Sequence, residues 1–295
     1  MSGPLEGRVA RSLEAPVAGQ VRAIAARLGE EAGARAVLFY GSNLRTGSLE
    51  GVLDFYVLLP GSQVERIWPR VSYREWNEGD LTLRAKIATM ALGTFARAAL
   101  GESRDTTIWA RFVQPSALAW AADATARREV THAVSGAAIT AARLAAALGP
   151  REGRAQDFWR ALFRATYRAE FRVEKPGREN DILSVNEAHF DGLLPLAWES
   201  GGIDFERRGD VLLPRIADGE RKAILRWWGL RRRLGKPLNL LRLVKASTTF
   251  EGAARYAAWK IERHTGVPVE LTPWRERHPV LAAPAVLWRV WRQQR

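Results

Sequence analysis

The chain has 295 residues and no cysteine, and its 45 Lys and Arg against 32 Asp and Glu give a formal net charge of +13. The lack of cysteine excludes a disulfide scaffold, thiolate metal sites and cysteine nucleophiles. No stretch approaches 18 uncharged apolar residues, so we expect no transmembrane helix, and residues 1–20 lack the apolar core of a secretory signal. We therefore expect an intracellular protein that is either soluble or peripherally bound to a membrane.

The excess positive charge lies at one end of the chain. Residues 221–295 hold 17 Lys and Arg against four Asp and Glu, whereas residues 1–220 hold 28 of each sign. Six of the twelve tryptophans also lie after residue 226. A neutral body with a basic, Trp-rich end indicates an anionic partner, either nucleic acid or a lipid surface.

The first part of the chain has the patterns of an α+β domain. Apolar residues at helical spacing predict an amphipathic helix over 15–32. Short apolar runs at 36–40 and 52–59 predict buried strands, since the first stops at a Gly-Ser-Asn turn and the second at Pro-Gly. Alternating apolar and polar residues predict a third strand at 81–90.

After residue 117 the patterns become mostly helical. A short strand is predicted at 210–214. Helices are predicted at 117–149, 155–175, 223–234, 238–250, 253–264 and 285–291, with Pro237 marking a break. We therefore expect three segments: an α+β domain with a mixed sheet and flanking helices (1–118), a helical domain (119–220) and a basic helical region (221–295).

The residues that indicate chemistry lie where the first two strands meet. Gly41 and Ser42 follow the first strand and can present backbone N–H groups and a hydroxyl to a phosphate. Asp54 lies in the middle of the second strand among apolar neighbours, where an unpaired charge is unfavourable. A bound cation would neutralise it, and so would a neighbouring Lys or Arg beside an ordinary Gly-Ser turn.

This pattern resembles the nucleotidyltransferase superfamily of the DNA polymerase β kind, in which a Gly-Ser turn precedes an Asp-x-Asp on the next strand. Here Tyr56 occupies the second acidic position. A second strand with one Asp resembles that of one family in this superfamily, the mitochondrial-type phosphatidate cytidylyltransferases. These are also called translocator assembly and maintenance proteins. Their turn reads Tyr-Gly-Ser-Gly, which Tyr40-Gly41-Ser42 resembles, with Asn43 in place of the second Gly. Asn tolerates a left-handed backbone, so the turn is expected to persist.

Further matches follow in the same order, roughly over residues 36–175. The family's Ile-Lys-Tyr-Gly-Val-Ile strand resembles residues 84–88 and places its lysine at Lys86, and a Leu-Gln-Lys-Pro stretch resembles 109–115 without the lysine. A Tyr-x-Gly-Asp-x-Arg helix motif resembles residues 167–172, with Glu170 in place of Asp and Arg172 matching the Arg. A late Lys-Gly motif is matched only loosely at 245–250.

The resemblance implies that the chain is a Mg²⁺-dependent phosphatidate cytidylyltransferase, which forms CDP-diacylglycerol and pyrophosphate from CTP and phosphatidic acid. It implies that Gly41, Ser42 and Asn43 contact the triphosphate and that Asp54 binds Mg²⁺. Lys86 would neutralise a phosphate, while Glu170 and Arg172 would supply a further carboxylate and a phosphate-binding guanidinium.

The basic end is then expected to dock on the inner, cytoplasmic face of an anionic membrane, because Trp prefers the headgroup zone and Arg gains from anionic lipid. No nucleic-acid partner is expected, and an oligomer is possible. The docking residues expected from the sequence are Trp227, Trp228, Arg231, Arg232, Arg233, Trp288 and Trp291. Two alternatives stay open: another nucleotidyltransferase with a soluble or RNA acceptor, and an inactive homologue that binds nucleic acid or a partner.

Overall fold

A computed structural model describes residues 3–79, 81–169, 178–249 and 252–277, together with the single positions 282, 285 and 288. Over these residues the protein is α+β, with a mixed sheet flanked by helices and a helical C-terminal region, as the sequence predicts. The first part contains, in order, α1 (Pro4–Leu13), α2 (Gly19–Glu31), β1 (Ala36–Tyr40), α3 (Ser42–Thr46), β2 (Leu53–Leu59), β3 (Arg70–Glu78), β4 (Leu81–Ala91), α4 (Leu92–Ala99), α5 (Thr107–Phe112) and β5 (Ser116–Ala121).

Five strands form the main sheet in the order β3-β4-β2-β1-β5. Strands β2 and β4 pair in parallel, whereas the other neighbours are antiparallel. The predicted strands β1, β2 and β4 are confirmed. Strand β3 escaped prediction because it lies at the sheet edge with mostly exposed or half-buried side chains, and β5 was wrongly included in a helix because its sequence is rich in alanine.

Each face of this sheet covers its own hydrophobic core, because successive side chains along a strand point to opposite faces. Val37, Phe39 and Phe55 enter the smaller core under α2. Leu38 and Tyr56 enter the larger core on the other face. Helices α1, α4 and α5 cover that face, and α6 (Ala124–Leu148) packs behind them.

The remainder of the described chain is helical apart from a small second sheet. Its elements are β6 (Gly153–Arg154), α7 (Ala155–Ala169), α8 (Arg178–Val185), α9 (Glu187–Phe190), α10 (Leu193–Ser200), β7 (Asp204–Arg208), β8 (Val211–Arg215), α11 (Asp218–Thr249), α12 (Ala253–Thr265) and α13 (Pro273–Arg277). The strand predicted near 210–214 is confirmed as β8. The larger core contains residues from all three predicted segments, from Leu5 to Trp228.

Helix α11 continues through Pro237, so the predicted break there is wrong. A proline inside a helix removes one backbone hydrogen bond. Contacts on both sides of this position hold the helix in place: Gly235 packs directly on the carbonyl of Ala169, and Arg242 forms an ion pair with Asp105. Within the described ranges, no helix combines the length and the hydropathy needed to cross a bilayer.

Candidate functional site

One row of paired residues crosses all five strands of the main sheet. Asp54 on β2 pairs with Tyr40 on β1 and with Lys86 on β4, while Tyr40 pairs with Ser116 on β5 and Lys86 with Tyr73 on β3. Paired residues of neighbouring strands project from the same face of a sheet. The structure therefore brings the predicted residues Asp54 and Lys86 together, side by side.

The chain turns next to Asp54 as it leaves β1. Gly41 has a φ of 93°, a left-handed conformation that favours glycine. A Cβ atom at this position would lie 3.1 Å from Oδ2 of Asp54. The exposed Ser42 follows as the first residue of α3. The predicted phosphate-binding turn and the predicted carboxylate therefore lie in direct contact.

Asn43 acts on the loop that follows α3. Its side chain is buried, and its Nδ2 donates hydrogen bonds of 2.8 Å to the backbone oxygens of Ser48 and of Glu50. The tolerance of Asn for a left-handed backbone is not used here, since every positive φ among the described residues belongs to a glycine. Gly41 supplies the left-handed residue instead, and Asn43 closes the loop with its amide.

The surroundings of Asp54 combine burial with positive charge. Burial raises the pKa of the Asp54 carboxyl, and the nearby cations Lys86 and Arg111 oppose that increase. A desolvated carboxylate is stabilised by compensating charge. Lys86 and Arg111 supply part of this compensation, so the alternative in which Asp54 pairs with basic neighbours has structural support.

Arg111, on α5, is a site residue that the sequence analysis did not single out. Its Nη1 donates to the hydroxyl of Tyr40 at 3.3 Å, and its Cζ lies 5.2 Å from the centre of the Tyr40 ring. Burial raises the pKa of Tyr40 to about 12, which keeps the phenol protonated at neutral pH. The available signal was a single arginine in the otherwise apolar end of α5, within the stretch already matched at 109–115.

Helix α11 adds two further basic side chains next to this site. Arg242 and Lys245 line a cavity of about 180 Å³ together with Lys86, Arg111 and Tyr40. Arg242 donates to both carboxylate oxygens of Asp105, at 3.0 and 2.8 Å, and Lys245 donates to the backbone oxygen of Ile67. Four basic side chains thus line the cavity, and one of them, Arg242, is paired with the carboxylate of Asp105. Such an excess of positive charge favours an anionic ligand.

The expected Mg²⁺ has one described protein ligand, Asp54. Within the ranges given above, no three His, Cys, Asp or Glu side chains lie close enough together to hold a metal. The cations Lys86 and Arg111 disfavour a free divalent ion beside Asp54. Mg²⁺ is often held by one or two carboxylates when substrate phosphates and water supply its other oxygens. The donor set therefore fits Mg²⁺ that arrives with a nucleotide.

Two of the predicted docking residues are buried within the fold, which is a correction to the sequence analysis. Only 4% of Trp228 and 7% of Arg231 are exposed. Trp227 is half-buried, and its Nε1 donates to the backbone oxygen of Gly101 at 3.2 Å. Arg231 donates to the same oxygen at 2.6 Å, and its guanidinium carbon lies 4.0 Å from the centre of the Trp227 ring. These side chains anchor α11 to the body, so they cannot insert into a lipid surface.

Of the remaining predicted residues, some are exposed and others lie outside the part of the chain that the structure describes. Arg232, Arg233 and Trp288 are exposed, the last to 57%. Glu170, Arg172 and Trp291 lie outside the described residues. Their predicted roles stay predictions.

No protein-family model matches the chain, and no curated protein matches it significantly. The candidate site therefore stands on its own geometry: a carboxylate, four basic side chains and a glycine turn at the end of a mixed sheet.

Proposed function

We propose that the protein is a nucleotidyltransferase, and that its reaction is the transfer of a cytidylyl group from CTP to phosphatidic acid. The observation that carries this proposal is the contact between Gly41 and Asp54, with Lys86 in the adjacent register position. A carboxylate, a lysine and a glycine turn that lie next to one another are groups suited to hold a charged triphosphate. Positioning and charge neutralisation account for most of the catalysis in phosphoryl-type transfer.

In this reaction an oxygen of the acceptor phosphate attacks the α-phosphorus of CTP. The bond between that phosphorus and the bridging oxygen breaks, and pyrophosphate leaves with the bond's electron pair. Gly41 and Ser42 would hold the triphosphate through backbone N–H groups and the Ser42 hydroxyl. Lys86 and Arg111 would stabilise the negative charge that develops on the phosphate oxygens.

Asp54 would be the protein ligand of the Mg²⁺ that accompanies the nucleotide. When bound, Mg²⁺ neutralises phosphate charge and orients the triphosphate. The glycine at position 41 leaves one face of the Asp54 carboxylate open toward the turn, where a side chain would cover it.

An acidic acceptor is supported by the basic side chains beyond those next to Asp54. The cavity near Asp54 also contains Arg242 and Lys245, and its walls include the apolar residues Ile67 and Val71. A phosphate monoester with an apolar body would suit this cavity, because its phosphate would contact the basic side chains and its apolar part the apolar walls. Phosphatidic acid fits this description, and so does a smaller soluble phosphate ester, which is the alternative acceptor.

The described outer face of α11 supports docking on an anionic lipid surface. This outer face contains Arg226, Leu230, Arg233, Lys236 and Leu240, all exposed and all at helical spacing on one side. No acidic residue occurs between positions 221 and 249. Exposed leucines between basic side chains favour the boundary between lipid headgroups and acyl chains. We therefore place the membrane contact on the outer face of α11 rather than on Trp228 and Arg231.

The direct test is incubation of the purified protein with CTP labelled at the α-phosphorus, Mg²⁺ and phosphatidic acid in mixed micelles. Labelled CDP-diacylglycerol is the expected product. Label that moves only to a soluble phosphate ester or to RNA would favour the alternative acceptors. Absence of transfer to any of these acceptors, together with salt-sensitive RNA binding, would favour an inactive binding protein.

A further inference from the structure

Helix α12 approaches the candidate site at both of its ends: its beginning lies close to strand β3, and its end lies close to the loop before β2. At its beginning, Gly252 has a φ of 79°, and a Cβ there would lie 2.5 Å from the backbone oxygen of Tyr73 on β3. Near its end, Nη1 of Arg263 lies 3.0 Å from the place that a Cβ of Gly51 would occupy. Gly51 belongs to the loop that leads into β2 and Asp54. The helix therefore packs on β3 and comes close to the loop that leads into the strand of Asp54.

The side of α12 that meets the sheet is aromatic. The ring of Tyr256 lies 5.3 Å from that of Tyr73 and 6.2 Å from that of Trp259, measured between centroids. The guanidinium carbons of Arg84 and Arg263 lie 5.5 and 5.2 Å from the Trp259 ring. This aromatic series begins in the row of paired residues that contains Asp54, because Tyr73 pairs in register with Lys86.

Tyr256 is the member of this series that reaches the site. It is half-buried, so part of the residue stays exposed. Burial and, to a smaller extent, the negative charge of Asp54 raise the pKa of Tyr256. The side chains around Asp54 also include the cations Lys86 and Arg111, which suit phosphate oxygens. A partly exposed aromatic residue suits a different part of a nucleotide, since nucleobases stack on and contact aromatic side chains irrespective of their phosphates.

We infer that α12 forms the nucleoside-binding wall of the site, with Tyr256 as a specificity-determining residue whose ring contacts the base or ribose of the bound nucleotide. This inference rests on the proposed nucleotidyltransferase function. It divides the site into two halves: a phosphate half made by the glycine turn, Lys86 and Arg111, and a nucleoside half made by Tyr256. The C-terminal region would then be part of the catalytic unit rather than only a membrane anchor.

The test compares two ligands that share a phosphate chain and differ in the nucleoside. Binding of CTP and of inorganic tripolyphosphate, each with Mg²⁺, is measured by titration calorimetry on the full chain. Tyr256→Ala should weaken CTP binding about tenfold and leave tripolyphosphate binding within about twofold of the wild type. Tyr256→Phe keeps the ring and should bind CTP within about threefold of the wild type. Arg255→Ala is the matched control, since Arg255 is the exposed neighbour of Tyr256 in the same helix and pairs with Glu276.

Each outcome decides one claim. If Tyr256→Ala weakens the binding of CTP and of tripolyphosphate equally, the inference is overturned, because Tyr256 would then affect phosphate binding or the fold. Equal CTP affinity in the wild type and in Tyr256→Ala would also overturn it, while leaving the nucleotidyltransferase proposal intact. A wild-type protein that binds tripolyphosphate but not CTP would refute both.

Discussion

Gly41 and Asp54 touch: the place of a Cβ on Gly41 lies 3.1 Å from Oδ2 of the Asp54 carboxylate, while the Gly41 backbone is left-handed at a φ of 93°. Two separate properties therefore require glycine here. One is the backbone conformation, and the other is the space beside the carboxylate. Substitution should affect both stability and activity, and a second glycine allows these effects to be separated.

Gly41→Ala should lower the free energy of unfolding by about 1–2 kcal/mol because of the left-handed backbone. It should also lower nucleotidyl transfer at least tenfold, because the new methyl group presses on Asp54. Gly47→Ala is the matched control. Gly47 also has a positive φ, of 67°, but its Cβ would enter open space. The control should show a smaller loss of stability by urea denaturation, because Gly47 has a ψ of 1° and Gly41 a ψ of −166°, where other residues hardly occur. Its turnover should be unchanged. Equal losses of turnover in both variants would contradict the proposed role of the Gly41 contact.

Arg231 should matter for stability rather than for lipid binding. It lies buried on the Trp227 ring and donates to the backbone oxygens of Gly101 and Trp227. Arg231→Ala should lower the free energy of unfolding by about 2 kcal/mol, since it removes both hydrogen bonds and the packing of the side-chain stem. The exposed neighbour Arg232 offers the control, and Arg232→Ala should change the free energy of unfolding by less than about 0.5 kcal/mol. Equal effects of the two substitutions on chemical denaturation would refute the anchoring role.

The outer face of α11 should govern binding to anionic membranes. Replacing Arg226, Arg233 and Lys236 together by Gln should sharply reduce sedimentation with vesicles that contain anionic lipid, because each exposed basic residue contributes about 1 kcal/mol near such a surface. A control variant with the same charge change replaces the exposed Arg97, Arg127 and Arg128 by Gln.

The control should bind vesicles nearly as the wild type does, and added salt should weaken binding in both proteins. If the control loses as much binding as the α11 variant, net charge rather than this face controls docking. Stronger binding of the wild type to RNA than to vesicles would favour a nucleic-acid partner instead.

His189 should make the fold sensitive to mild acid. Burial lowers the pKa of His189 from its usual 6.5, and its Nε2 lies 2.9 Å from the backbone oxygen of Val113. A histidine whose folded pKa is lowered favours the fold in its neutral form, so its contribution is present above about pH 6.5 and is lost as the pH falls below that value. The urea midpoint of the wild type should therefore drop more between about pH 7.5 and about pH 5.5 than that of His189→Gln. Parallel pH profiles of the two proteins would show that His189 does not titrate with this consequence.

The sequence was most informative where one strong pattern decides the structure. Alternating or continuous apolar residues predicted β1, β2 and β4. The family resemblance assigned Asp54 and Lys86 to one site, and the structure adds that they pair in register. Strand β3 was missed because an edge strand needs little apolar surface, and its residues are mostly exposed or half-buried. Arg111 was missed because its contact with Tyr40 joins residues far apart in the chain, which no local pattern reveals.

At the basic end, the excess of positive charge is real, but two of the residues predicted to dock on a membrane, Trp228 and Arg231, lie on the buried side of the helix. Trp228 and Arg231 lie three residues apart, with Ile224 and Gly235 each one turn away, so all four share one side of α11. That side is buried. Helical spacing alone would have grouped the arginine with the tryptophan and the isoleucine on the inner side. The charge count instead treated every arginine of the run as exposed.

The most direct test of the central claim is transfer of the labelled cytidylyl group from CTP to phosphatidic acid by the wild type and by Asp54→Asn. The account predicts labelled CDP-diacylglycerol with the wild type and a loss of at least about a hundredfold with the variant. The variant should fold at least as stably as the wild type, because burial disfavours the Asp54 charge and Asn removes it. Equal turnover by the two proteins, or no transfer by a folded wild type to any phosphate acceptor, would contradict the account.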